Sequence, residues 1–236
     1  MVKLPDEFLE WNYYARRKLL EKVARREPLS PETMYLVAAR HNPVLCTAAP
    51  RDDGTVEVNG KVVGVGYVVK RDRLSEVIKA LKEHVKAMDE RYEELKRDEE
   101  ELRKALQEYS VKGAKLLLEY VYLPPERATK EVDFEKLATV ELAKRLPHSS
   151  KHTWGILQRS RKACLVFFQP PLISFEVRST ITIHEGDEYH EYVTLVHDAF
   201  HYTPLERRAD RPVYIFHVEE VYDNSPTPRG FGRRIA

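Results

Sequence analysis

Apolar residues recur at spacings of three and four near the start of the chain. Phe8, Trp11, Ala15, Leu19 and Val23 share one face of a helix predicted over residues 6–26. Pro28 and Pro31 end it, because proline cannot continue the hydrogen-bond ladder. Ser30 and Pro31 then read as the cap and first turn of a short helix carrying Met34, Leu36 and Val37. The pattern next turns β-branched. Residues 55–58 and 62–69 flank Asn59-Gly60-Lys61, which predicts a hairpin turning at the Asn-Gly pair. Gly64 and Gly66 open no helix at phosphate-loop spacing and read as points of close backbone approach.

The most regular stretch follows. Leu74, Ile78, Leu81, Val85, Met88, Tyr92, Leu95, Leu102, Leu106 and Tyr109 alternate steps of four and three, broken only at Glu99. This predicts a single helix over residues 72–109, about 57 Å long at roughly 1.5 Å per residue. A helix that long protrudes unless something covers its seam. The cover is either a second copy in a dimer or the N-terminal helix of the same chain. Glu99 would be costly in a dry interface and marks where the seam loosens.

Residues 111–123 fit either a continuation of the helix or a strand, and Pro124-Pro125 ends them. Phe134, Leu137, Val140 or Glu141, and residues 142–146 predict an amphipathic helix stopped by Pro147. Beyond it the chain is β-rich. Strands are predicted over 162–168, 174–183, 189–197 and 213–218, with a turn at Glu185-Gly186-Asp187. Short turns between strands imply antiparallel pairing. The chain thus divides into residues 1–71, two helices and a hairpin; 72–123, the heptad helix; and 124–236, a helix and an antiparallel β domain with an arginine-rich tail. The fold class is α+β, an antiparallel barrel or sandwich with a long coiled-coil-type helix.

Composition narrows the class without naming an activity. The 39 basic and 38 acidic residues leave a net charge of +1, so bulk charge argues for neither nucleic acid nor an anionic membrane. Two cysteines, Cys46 and Cys164, form no disulfide framework and no nucleophile signature; they read as reduced thiols of a cytoplasmic protein. Neither a signal peptide nor a membrane-spanning stretch is visible. Few Asn and Gln beside many Glu, Lys and Arg point to a thermophilic source.

One cluster of short motifs carries a resemblance. Ser149-Ser150-Lys151, a helix, Ala163-Cys164-Leu165-Val166-Phe167-Phe168, Pro170-Pro171-Leu172 and Phe175-Glu176-Val177-Arg178 resemble the pyridoxamine 5'-phosphate oxidase-like, FMN-binding split-barrel family over about ninety C-terminal residues. The resemblance implies a split-barrel fold and FMN as cofactor. It also implies Ser149, Ser150 and Lys151 on the FMN phosphate, Glu176 and Arg178 near the ring, and a homodimer sharing the site. Ser150 stands where that family has arginine, and Glu176 where it has glutamine. The activity implied is that of a flavin-dependent oxidoreductase.

Two other constellations support different functions. His197 and His201 in His197-Asp198-Ala199-Phe200-His201 have the i, i+4 spacing of a zinc-binding helix, with Asp198 where such motifs place the general-base glutamate. That would make a metal-dependent hydrolase. The segment before them prefers a strand, however, on which i and i+4 lie about 13 Å apart. The tail carries Arg229, Phe231, Arg233 and Arg234, an arginine–aromatic pattern able to track phosphates and stack on bases. With the heptad helix as dimerisation element, it defines a scaffold or nucleic-acid-binding alternative.

Overall fold

The computed structural model describes residues 1–144 and 150–236. Helix α1 (Asp6–Leu9) passes through one π-helical turn, Glu10–Tyr14, into α2 (Ala15–Ala24), and α3 (Pro31–His41) follows. Strands β1 (Val44–Pro50), β2 (Val56–Val62) and β3 (Gly66–Val69) precede two long helices, α4 (Leu74–Leu95) and α5 (Glu99–Tyr120). Then come α6 (Pro125–Glu131), β4 (Val132–Val140), α7 (His152–Arg159), β5 (Lys162–Gln169), β6 (Ile173–His184), α8 (Glu188–Phe200), β7 (Val213–Asp223) and the short β8 (Arg233–Arg234). No helix among the described residues is long and apolar enough to cross a membrane.

All strands join one antiparallel sheet in the order β2-β1-β5-β6-β7-β4-β3, with β8 added to β7. Laid flat, seven strands would hold their two edges about 29 Å apart, at roughly 4.8 Å per step. Yet the edge strands β2 and β3 are joined by only residues 63–65, a link reaching at most about 14 Å. The sheet must therefore curl until its edges nearly meet, closed by the chain itself rather than by a hydrogen-bonded ladder. Side chains tie the two edges across this split. Lys61 on β2 pairs with the buried Glu141 just beyond β4, at 2.5 Å, and Thr139 donates to the Gly64 carbonyl at 2.6 Å. The α+β, split-barrel-like expectation thus follows from connectivity.

The predicted single heptad helix is broken. Lys96–Asp98 turn the chain, and Asp98 caps α5 by accepting from the Glu100 and Glu101 amides at 3.0 and 3.1 Å. Glu99, the break in the heptad series, begins the new helix, where three acidic residues favour the positive end of the dipole. The seam residues Leu74, Ile78, Leu81, Val85 and Met88 are buried within the chain, where α4 lies against α5 and α8. Helix α5 in turn lies along α2, so both helices of the pair are packed inside one chain. The ambiguous residues 111–120 continue α5 as helix.

Three further local expectations are corrected. The hairpin turns at residues 51–55, where Gly54 has φ of 81° and Asp53 accepts from the Thr55 amide and hydroxyl; Asn59 and Gly60 lie inside β2, opposite Thr47 and Cys46. The segment predicted as an amphipathic helix from Phe134 is β4. Its register against β3 jumps between Tyr67↔Leu137 and Val68↔Asp133, and this bulge produces the helix-like spacing of Phe134 and Leu137. The remainder of that predicted helix, 145–146, and its stop at Pro147 lie outside the described residues. The predicted strand 189–197 is α8, capped by Asp187 on the His190 amide at 2.9 Å and burying Tyr192, Val193 and Ala199. Packing overrode the β-branched composition there.

Helix α8 docks on the α4–α5 pair at a tight contact. A Cβ placed on Gly113 would meet the Ala199 carbonyl oxygen at 1.8 Å. His84 and Tyr109 stack at 4.1 Å, and Tyr109 donates to the Asp198 carbonyl at 2.6 Å. Gly113→Ala is expected to lower unfolding free energy by on the order of 3 kcal/mol. Leu81→Ala, at a fully buried site, is expected to cost about 3 kcal/mol. Neither is expected to change the mass in solution, because both contacts lie within the chain. Denaturant unfolding with light scattering checks both, and a drop in mass for Leu81→Ala would show that the seam holds copies together.

Candidate functional site

Strand alternation sorts the residues of the flavin expectation. On β1, Leu45, Thr47 and Ala49 point inward and are buried, and on β6 Phe175, Val177 and Ser179 do the same. The outer face therefore presents two cross-strand rows. One runs Val62, Val44, Val166, Glu176, Tyr222; the next runs Gly60, Cys46, Cys164, Arg178, Glu220. Glu176 and Arg178 are neighbours here and bind each other, with Arg178 Nε donating to Glu176 at 2.6 Å. The Arg178 guanidinium also lies 4.5 Å from the centre of the Tyr222 ring and reaches Glu220 at 3.3 Å. Asn224 donates to the other Glu176 oxygen at 3.1 Å. Burial would raise the Glu176 carboxyl, but the hydrogen bonds from Arg178 and Asn224 override it and hold it below the usual range.

A shallow hollow of about 710 Å³ lies over the second row, floored by Gly60, Cys46 and Cys164 and edged by Lys162, Arg178 and Glu220. Burial, then the nearby Glu176, pushes the Cys46 thiol up, and the same causes with Cys46 itself push Cys164 up to about 12. Both are protonated thiols at neutral pH and poor nucleophiles, in line with the absence of a nucleophile signature.

The other flavin residues sit elsewhere. Lys151 flanks the start of α7 in the left-handed conformation, with φ of 54°, and Ser150 beside it is exposed. Ser149 lies outside the described residues. Helix α7 packs on the inner side of β1 and β2: Thr153 accepts from the inward-facing Asn59 at 2.8 Å, and Ile156 and Leu157 are fully buried. Within one chain, then, Ser150 and Lys151 approach one face of the sheet while Glu176 and Arg178 look out from the other.

The arginine tail is folded onto the barrel. Arg233 and Arg234 form β8 beside β7, Arg234 pairs with Glu220 at 3.0 Å, and Arg233 with Glu7 at 3.4 Å. The Arg229 carbonyl accepts from Arg233 Nε, and Phe231 is exposed. His197 lies on the last turn of α8 and His201 caps its end, just outside the helix, with ring centres 5.6 Å apart. Among the described residues no group of three or more His, Cys, Asp or Glu is arranged to hold a metal.

What the spacing did not reveal is the anchor behind His197. Its Nδ1 lies 2.9 Å from Asp198 Oδ1, and Asp198 is gripped at both oxygens by the buried Arg211, at 3.0 and 2.9 Å. Thr203 donates to the same carboxylate at 2.8 Å. With a carboxylate on Nδ1–H, the Nε2 of His197 is left as the basic nitrogen. The partners Thr203 and Arg211 come from the loop after α8, and nothing in the local sequence announced them.

Comparison with known proteins gives the following. No family model matches the chain, and no curated protein sequence matches it. Among solved structures it is similar to a Listeria innocua protein named for pyridoxamine 5'-phosphate oxidase, with TM-score 0.38, 9% identity, and coverage of 88% of this chain and 97% of that one. It is also similar to a pyridoxamine 5'-phosphate oxidase-related, FMN-binding protein from Nostoc punctiforme, with TM-score 0.34, 10% identity, and 89% and 81% coverage. An F420 reductase gives TM-score 0.33, 13% identity, and 82% and 97% coverage. At TM-scores this low the likenesses carry no weight beside the covalent closure of the sheet.

The Asp198 cluster makes a pH prediction. Burial would raise the Asp198 carboxyl, but hydrogen bonds from His197 and Arg211 and the Arg211 charge win and hold it at about 2. A depressed carboxyl contributes stability above its unfolded value near 3.8 and loses it as pH falls through the folded value. About 2 kcal/mol should therefore vanish between roughly pH 4 and pH 2. Asp198→Asn should remove that acid-dependent component and cost about 3–5 kcal/mol at pH 7, because it strands the buried Arg211. Urea unfolding across pH tests both statements, and an unchanged acid profile in the variant would overturn them.

Proposed function

We propose that this chain is a split-barrel protein that binds a flavin-type cofactor, FMN by the sequence resemblance, and acts as a flavin-dependent oxidoreductase in a homodimer. The observation that carries the reading is the outer face of β2-β1-β5-β6. Val56, Val58 and Val62 are 61, 75 and 66% exposed there, beside a hollow floored by small side chains. A floor of the small residues Gly60, Cys46 and Cys164 leaves room for a planar ring. The uncovered valines give a second copy an apolar surface to bury.

The hollow offers no spare positive charge, since Arg178 is engaged by Glu176 and Glu220, and Lys162 by Glu219. By the sequence resemblance the anionic end of the cofactor goes to Ser149, Ser150 and Lys151; of the described residues, Ser150 and Lys151 stand at the positive end of α7, which favours phosphate. Because Ser150 and Lys151 approach the opposite face of the sheet within one chain, a site using both sets draws on two copies. A bound flavin supplies hydride and electron transfer. Glu176, held as a carboxylate by Arg178 and Asn224, supplies a fixed acceptor beside the ring edge.

The expected result is one flavin per chain after FMN addition, seen as blue-light absorbance that co-elutes with the protein. Lys151→Ala should weaken FMN binding by about tenfold or more, the loss of one charged contact. Val58→Glu should halve the mass in solution and release the flavin together with the dimer. A colourless preparation that ignores added FMN and F420 overturns the reading.

A further inference from the structure

A second site lies on the other side of the molecule, in the cleft where the barrel is split. Helices α2, α3 and α8 line it, together with the β2–β3 link and the end of β4, around a space of about 470 Å³. It continues past Arg16 and His41 into a hollow of about 270 Å³ beside Trp11 and Tyr67. None of its residues belongs to the outer-face hollow.

The ionisable groups in the 470 Å³ cleft are all basic, beside the neutral Asn42 and Thr139. Arg16 comes from α2, His41 from α3, His197 from α8 and His201 from the cap at its end, while no Asp or Glu lines it among the described residues. The carboxylate nearest His197, Asp198, faces away from the cleft toward Arg211. Arg16 hydrogen-bonds the buried Tyr122 hydroxyl and makes no ion pair among the described residues, and its Nε is buried without a hydrogen-bond partner. Its guanidinium lies 5.7 Å from the centre of the Phe200 ring. A desolvated guanidinium nitrogen left unpaired costs free energy that an anion would recover. Gly64 keeps the wall thin, since a Cβ there would lie 3.4 Å from His41 Nε2.

Most of the remaining wall is apolar, built from Leu19, Val23, Val37, Val140, Leu142 and Phe200. We infer that this cleft binds a small amphipathic carboxylate, its anionic end on Arg16 and its apolar body along the α2–α3–β4 wall, with His197 Nε2 open to a donor on the ligand. A monoanion fits better than a dianion. Burial, with His197 and Arg16 nearby, lowers His201 to about 4, and burial beside Arg16, His201 and His197 pushes His41 well below the usual imidazole range. The Arg16 guanidinium is the group that meets the anionic end.

The test uses the full chain without flavin and three probes: octanoate, 1-octanol and inorganic phosphate, titrated calorimetrically at pH 7. Octanoate is expected to bind one per chain, at least tenfold tighter than the uncharged octanol, with no heat from phosphate. Arg16→Met should lower octanoate affinity about tenfold or more and leave octanol unchanged. Equal affinity for acid and alcohol, no binding of octanoate, preferential binding of phosphate, or a folded Arg16→Met that binds octanoate like the parent would each overturn the inference. The acid–alcohol comparison needs no variant, so it decides even if Arg16→Met does not fold. Because no flavin is present, failure here leaves the outer-face reading standing, and the reverse also holds.

Discussion

The three-residue link between β2 and β3 is the constraint from which the rest of this structure follows. A seven-strand sheet with its two edge strands tethered this closely cannot lie flat. Curling it buries Leu45, Leu165, Val177 and Phe216 and leaves a seam where no strand pairs with the other edge. That seam is held by side chains. Lys61 reaches the buried Glu141, whose second oxygen accepts from Tyr214 at 3.1 Å, and Thr139 holds the link itself at Gly64. A buried carboxylate with this set of partners is costly to disturb on any one side.

The same seam creates the cleft. Strands that do not pair leave space, and α2, α3 and α8 close over it from outside. Helix α8 can do so because its C-terminal end, which carries His197 and Phe200, is pinned to the α4–α5 pair through Gly113 and Ala199, and its Asp198 is locked by Arg211. The helical pair therefore serves as a buttress for the helix that carries His197 and is capped by His201. Its apolar seam is used within the chain, which removes the long protruding helix from the picture and leaves the exposed valines of β2 as the apolar surface open to a second copy.

The two faces of the barrel offer different chemistry. The outer hollow is shallow, floored by small side chains, and its charges are matched in pairs, so it suits a planar ring whose charge is met elsewhere. The seam cleft is apolar with one unmatched arginine and three imidazoles, which suits an anion carried on an apolar body.

The sequence by itself determined the elements whose pattern matches their surroundings. The first helix, the strands from Lys162 to Ile183, and the strand from Val213 were legible because their apolar periodicity faces one core. The i, i+2 spacing of Glu176 and Arg178 on a predicted strand placed both on one face, but that they bind each other was settled by the folded structure. Other features were decided by tertiary structure. The break at Asp98 was written as a cap, but the heptad series ran through it, and only packing against α8 and α2 favoured two helices over one. The bulge in β4 disguised a strand as a helix, and the β-branched run of α8 disguised a helix as a strand. The split, the setting of Arg16 beside Tyr122 and Phe200, and the Asp198–Arg211 lock join residues far apart in the chain, and local pattern holds no record of which distant group a buried charge will meet.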